Sequence, residues 1–277
     1  MKYRSIIENY LDQVFVALRK EFKKEKLPDV IFKSMRYSVF NGGKRIRPVL
    51  CLAAYDIVKS KKSKDKSQNY KEILPFGCGI EFVHTFSLIQ DDLPCMDNDD
   101  FRRGKPSLHR VFGEGIAILA ADALFAKAFE LFATADVDNN RKLLATTELA
   151  RVCGPFGLVA GQVMDISKKS QKSEVRSQKL INEKKTAEII AGSLTIGAII
   201  AGAKTNLVNK LYEAGMLLGL LFQTTDDIID KGHISEVKLH RLEAERYARK
   251  ANKIFSALGS NFDWFNNFTN YILTRKA

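Results

Sequence analysis

Residues 189–203 read IIAGSLTIGAIIAGA, fifteen residues without a charge. A membrane-crossing helix needs about 20 apolar residues, so this run is short for a span. It suits a helix covered by other helices on most faces, which places it in the middle of a multi-helix bundle. The rest of the chain agrees. Only 6 prolines occur in 277 residues, and Ala, Leu and Ile dominate the apolar set, which favours helix over a turn-rich β fold. Residues 3–23 put Ile6, Ile7, Tyr10, Leu11, Val14, Phe15, Leu18 and Phe22 on one stripe. A second helix is expected from Pro28-Asp29 to Asn41-Gly42-Gly43, and a third from Pro48 to Lys59, where KSKKSKDKSQ reads as an exposed loop. Further helices are expected near 70–93, 114–135, 138–152, 156–168, 178–203, 207–230, 236–258 and 263–275. With no strand alternation, repeat or linker composition, residues 1–277 are expected to form one all-α domain, a single multi-helix bundle.

The formal net charge is +12, which favours anionic partners. Nucleic acid has little else to support it, because no recognised binding module or aromatic-interleaved basic face is present. Cys51, Cys78, Cys95 and Cys153 lie far apart without CxxC spacing, so neither a disulfide frame nor a zinc site is expected. The start, MKYRSIIENYLDQV, lacks an apolar core of signal-peptide length. These features predict a cytoplasmic protein with no stable membrane insertion.

Chemistry concentrates in two acidic stretches. Residues 91–105 read DDLPCMDNDDFRRGK, with five aspartates in ten positions. Like charges so crowded require compensation. Asp91 and Asp97 are six apart, about 240° around an unbroken helix. They converge only if the helix is interrupted, and Pro94 supplies the interruption. An EF-hand is excluded, because counting from Asp97 puts Arg102 at the required glycine and Leu108 at the closing acid. The second stretch, FQTTDDIID, spans 222–230. There Asp226 and Asp230 lie about 40° apart on one helical face, with Gln223 beside them. Carboxylates one turn apart suit a hard divalent cation such as Mg²⁺.

Basic residues come in matching pieces. GGKRIRP, residues 42–48, places Lys44, Arg45 and Arg47 at a helix start, where free N–H groups and the dipole also favour an anion. Arg102 and Arg103 follow the first acidic stretch. Guanidinium suits bidentate phosphate contacts. His84 lies seven residues before Asp91, roughly two turns along the same face. Two acidic and two basic clusters together point to a diphosphate bridged by Mg²⁺. The aromatic run LFAKAFELF, by contrast, reads as core.

GGKRIRP, HTFSLIQDDLPCMDNDDFRRGKPSLH, GQVMD, KT and FQTTDDIID, in this order across residues 40–230, resemble the trans-isoprenyl diphosphate synthase family, also called polyprenyl synthetases. The resemblance implies an α-helical bundle, usually a homodimer, with two aspartate-rich motifs facing each other across a cavity. It implies that Asp91 and Asp97, with Asp92 nearby, hold Mg²⁺ from one side, and Asp226 and Asp230 from the other. Arg102, Lys185, Thr186 and Gln223 would assist at the allylic diphosphate. Lys44, Arg47, His84 and Arg103 would receive isopentenyl diphosphate, and Gln162 and Asp165 would support the polar network. The implied reaction is head-to-tail condensation. The allylic C–O bond ionises, the isopentenyl double bond attacks the cation, and a proton is lost, with the released diphosphate as base.

Bulk just upstream of the first aspartates limits chain length in this family. Phe86, five residues before Asp91, therefore favours a fifteen-carbon farnesyl product, with a twenty-carbon geranylgeranyl product as the alternative. After Asp230 the family continues through a glycine-lysine loop, whereas this chain reads DKGHISEVKLHRLEAE and is roughly two dozen residues shorter than the usual connection. That difference puts closure over the diphosphate in question and keeps a second class in play, a non-catalytic subunit of a partner synthase. A terpene cyclase has no use for the second diphosphate pocket that GGKRIRP suggests. The basic RKA at 275–277 is similar to the tail of relatives and would partly cover the pocket.

Overall fold

In the computed structural model, residues 2–22, 28–60, 70–170, 175–231 and 234–275 are described. Helices α1 (Lys2–Glu21), α2 (Asp29–Val39), α3 (Ile46–Ser60) and α4 (Leu74–Asp91) come first. A two-residue hairpin, β1 (Phe101–Arg102) with β2 (Lys105–Pro106), then leads into α5 (Leu108–Phe112). There follow α6 (Glu114–Thr134), α7 (Asn139–Cys153), α8 (Leu158–Ser170) and α9 (Val175–Asn182). A π-helical turn, Glu183–Ala187, joins α9 to α10 (Glu188–Ile200), and α11 (Thr205–Lys231), α12 (Ile234–Ala257) and α13 (Asp263–Thr274) complete the bundle.

The all-α expectation holds, and the uncharged run becomes α10, nearly every residue of which is buried. It packs against α3, α7 and α11, while α4 packs on α6 and α3, and α11 on α12. The expected core run supplies Phe132, fully buried, edge-on to Phe76 at 4.7 Å between ring centroids. Cys51, Cys78 and Cys153 are buried free thiols and Cys95 is an exposed one. Burial pushes the Cys153 thiol up to about 11.

Local departures have local causes. Helix α3 begins at Ile46, two residues ahead of Pro48, because Val49 N–H bonds Arg45 O at 3.2 Å and first-turn N–H groups have no partner for Pro to remove. The hairpin lies where no strand was expected. Its central residues, Arg103 and Gly104, both have positive φ (55° and 76°), as an I′ turn requires, and two-residue strands are too short to show alternation. Helix 178–203 was expected to run unbroken, and the π turn interrupts it. The basic loop from Lys59 starts inside α3, and residues 61–68 lie outside the described residues. Asn139–Ser167 is long and apolar enough to span a membrane by composition. A turn at 154–157 divides it into helices of 15 and 13 residues, each short of the roughly 20 a span needs.

Candidate active site

Helix α4 ends at Asp91, and the chain turns at Pro94 as anticipated. Asp97 N–H then bonds Asp91 O at 2.9 Å, which folds the acidic loop back and returns Asp97 to Asp91. Burial pushes the Asp91 carboxyl up to about 6, with Asp97 adding to the rise and Lys185 and Arg102 opposing it. Lys185 Nζ stands 3.4 Å from Asp91 Oδ2 and 3.0 Å from Asp165 Oδ2. Asp92 is turned elsewhere. It is buried, bonded twice by Arg102, and absent from the cavity wall. Its contact fixes Arg102, which also reaches Asp99 at 3.0 Å.

The π turn presents Lys185 and Thr186. One extra residue in a turn redirects the side chains around it, and such bulges recur at functional sites. Gly161 on α8 makes room for it: a Cβ there would stand 2.5 Å from Lys185 N. Thr186 Oγ1 donates to Gln223 Oε1 at 2.9 Å, and Gln223 Nε2 donates to Asp227 Oδ1 at 3.1 Å, joining this turn to the second acidic segment on α11. The side chain of Asp230 lies outside the described residues, as does the structure of residues 232–233.

The basic pieces separate into different roles. Gly42 and Gly43 have positive φ (83° and 106°) and leave space against the Arg103 guanidinium, which donates to Gly42 O at 2.5 Å. Arg47 Nη1 lies 3.1 Å from His84 Nε2. Arg47 is a donor only, so Nε2 accepts and the His84 proton sits on Nδ1. Burial, with Arg47, Arg103, Arg45 and Arg102 nearby, holds His84 well below the usual imidazole range and therefore neutral. Burial also lowers Arg47, to about 10. Arg45, adjacent in sequence, points into the core. Its Nη1 pairs with Glu81 Oε1 at 2.6 Å, and the two side chains are 1% and 2% exposed.

One cavity of about 610 Å³ gathers these groups. Lys44, Arg47, His84, Asp91, Arg102, Arg103, Lys185, Thr186, Gln223 and Asp226 all line it, with Gln162 and Leu158 from α8. The donor set fits a hard divalent ion: Asp91 and Asp226 in the wall, and Asp97 outside the wall but folded back beside Asp91, offer only carboxylate oxygens, and Gln162 Oε1 in the wall is buried without a donor. A carboxyl pushed up by burial beside a second acid is also one that an added cation relieves. Among the described residues no three His, Cys, Asp or Glu side chains form a ready-made cage. Asp91 and Asp226 each hold a protein cation instead, Lys185 and Arg275. Arg275 was not among the expected site residues beyond its place in the basic RKA. It follows α13, 49 positions from Asp226, and no local pattern relates the two.

The family model described as polyprenyl synthetase matches residues 28–238. A geranylgeranyl pyrophosphate synthase of Catharanthus roseus is 46% identical over 206 residues, 73% of this chain and 56% of the relative. The heterodimeric geranylgeranyl pyrophosphate synthase large subunit 2 of Arabidopsis thaliana is 44% identical over 212 residues, 76% of this chain and 54% of the relative. The chain thus spans little more than half the length of these curated relatives. Among solved structures, an apo FPP/GFPP synthase from Zymomonas mobilis superposes with a TM-score of 0.89 at 29% identity, covering 99% of both chains. The Catharanthus relative is named chloroplastic, which overturns the cytoplasmic location expected from the sequence. A match over 28–238, carried on a bundle that brings both acidic segments and the basic pieces to one cavity, leaves a single conclusion: the chain belongs to the polyprenyl synthetase family.

Proposed function

We propose that the chain is a Mg²⁺-dependent prenyltransferase that joins isopentenyl diphosphate head-to-tail to an allylic diphosphate. The observation that carries this is the cavity itself, where Asp91 and Asp226 share a wall with Lys185, Arg102 and Gln223, and with Lys44, Arg47, His84 and Arg103. When bound, Mg²⁺ held by Asp91, Asp97, Asp226 and Asp230 would supply positive charge to the departing diphosphate. Lys185 and Arg102 add fixed positive charge on the same side, and Thr186 and Gln223 hold the π turn against α11. Arg47 and Arg103 offer guanidinium donors to the second diphosphate, with Lys44 at the exposed rim. Neutral His84 can donate Nδ1–H without adding charge. Purified protein given Mg²⁺, labelled isopentenyl diphosphate and dimethylallyl, geranyl or farnesyl diphosphate should form a longer prenyl diphosphate, and EDTA should stop it. Product from none of the three partners would favour a non-catalytic subunit.

For product length the twenty-carbon reading now leads, supported by the relatives named as geranylgeranyl synthases. Phe86 keeps the fifteen-carbon reading in view. It is 7% exposed, and its ring lies 4.8 Å from that of Phe125, which meets Phe129 at 5.1 Å. Phe86, five positions before Asp91 on α4, thus packs with Phe125 and Phe129 of α6. Phe86→Ala is expected to lengthen the main product by at least one five-carbon unit, read by chromatography after dephosphorylation. An unchanged product would remove Phe86 as the floor.

The protein is further proposed to work as a homodimer. Ile118 and Leu119 on α6, Leu143 on α7 and Val163 on α8 are exposed apolar side chains that a second copy would cover. Leu143→Glu should shift the mass measured by light scattering toward one chain. A wild type of single-chain mass would contradict the proposal.

A further inference from the structure

The second acidic segment is held from behind by a residue that stands outside the cavity wall. Arg275 Nη2 donates to Phe222 O at 3.0 Å, Thr225 Oγ1 at 2.8 Å and Asp226 Oδ1 at 2.5 Å, and its guanidinium carbon lies 4.3 Å from the Phe222 ring centroid. The Arg275 side chain is 6% exposed, whereas Asp226 is 34% exposed and faces the cavity. Two features mark this contact as one that can be exchanged. A single nitrogen with two hydrogens serves three acceptors, so it cannot satisfy all of them fully at once. Meanwhile Nε and Nη1 are buried with no acceptor, so the guanidinium is under-used where it sits. If Asp226 turned away, the Phe222 carbonyl, the Thr225 hydroxyl and the Phe222 ring would still hold the side chain.

From this geometry we infer that Arg275 is the resident counter-ion of the second acidic segment. It neutralises Asp226 in the metal-free protein and releases that oxygen when a divalent cation arrives. This rests on the metal reading of the cavity and adds to it a linkage between metal occupancy and the end of α13. A cation already bonded to the carboxylate lowers the apparent affinity of any competitor for the same oxygen, and the effect is reciprocal. Binding of metal therefore loosens the seat of Arg275, and removal of Arg275 strengthens metal binding. Lys185 differs, because it keeps Asp165 at 3.0 Å whatever happens at Asp91.

The test is a titration of Mn²⁺, read by electron paramagnetic resonance, into wild type, Arg275→Ala and Arg275→Lys, without and with inorganic diphosphate. Arg275→Ala is expected to bind Mn²⁺ alone about fivefold or more tightly than wild type, with Arg275→Lys nearer wild type. Amide exchange at 270–275 in wild type should quicken on adding Mn²⁺, and this response should vanish in Asp226→Asn, which leaves Arg275 in place. If Arg275→Ala binds Mn²⁺ no better than wild type, or exchange at 270–275 ignores the metal, Arg275 is a structural brace and the counter-ion role is overturned. A wild type that binds no Mn²⁺ even with diphosphate overturns the metal reading first, and this inference with it.

Discussion

Asp91→Asn is expected to lower kcat/KM on the order of 10³-fold while leaving the protein folded. Removing one preorganised electrostatic group from a site where charge develops typically costs 10²–10³-fold. Asp91 sits at the upper end because it stands at the junction of α4 and the returning acidic loop, facing Lys185. A factor of 10³ corresponds to about 4 kcal/mol of lost transition-state stabilisation. Stability should hold, because burial already works against the charge of this carboxyl and pushes it up to about 6. The amide removes that burden, and Lys185 retains Asp165. Steady-state kinetics beside a thermal melt separates the two effects. A variant that keeps a tenth or more of wild-type kcat/KM would show that Asp91 is not where the leaving group is held.

Glu81→Ala should produce the largest loss of stability. The Arg45–Glu81 pair is buried at the junction of three elements: Arg45 precedes α3, Glu81 lies in mid-α4, and Arg45 also donates to Val39 O at the end of α2. Replacing a buried pair by well-packed apolar groups can be neutral, but deleting one partner strands the other charge, at about 3–5 kcal/mol. That is a large part of the 5–15 kcal/mol typical of a folded domain. The loss reaches function too, since α3 carries Arg47 and α4 carries His84 and Asp91. Urea unfolding should show a lower midpoint at an unchanged slope, with Glu81→Gln falling in between. A midpoint within experimental scatter of wild type would mean that Arg45 finds another partner.

What the sequence revealed of this site follows the range of each interaction. The need for a break at Pro94 is a local statement about helix geometry, and the Asp91–Asp97 return follows it; the 226/230 spacing is equally local, and of that pair Asp226 is seen in the cavity wall. Lys44, Arg45 and Arg47 look equivalent as a string. Only the packing of α2, α3 and α4 separates Arg45, bound to Glu81, from Arg47, bound beside His84. Asp92 looks like Asp91's twin, yet a 100° step on a helix turns it toward Arg102. The π turn at 183–187 left no mark, because one extra residue in a turn hardly disturbs apolar periodicity over 178–203. Arg275 was legible only as part of a basic tripeptide, since its partners lie about fifty positions away on another helix.

Both acidic segments are proposed to hold one metal-bound diphosphate in the shared cavity. Calorimetric titration of inorganic diphosphate into wild type, Asp91→Asn, Asp226→Asn and the double variant, each with Mg²⁺ and with EDTA, tests it most directly. Wild type should bind tightly only with Mg²⁺, either single variant should lose much of that affinity, and the double variant should be little worse than the singles, because both carboxylates serve one cluster. Diphosphate binding that survives EDTA undiminished, or losses that simply add, would contradict it.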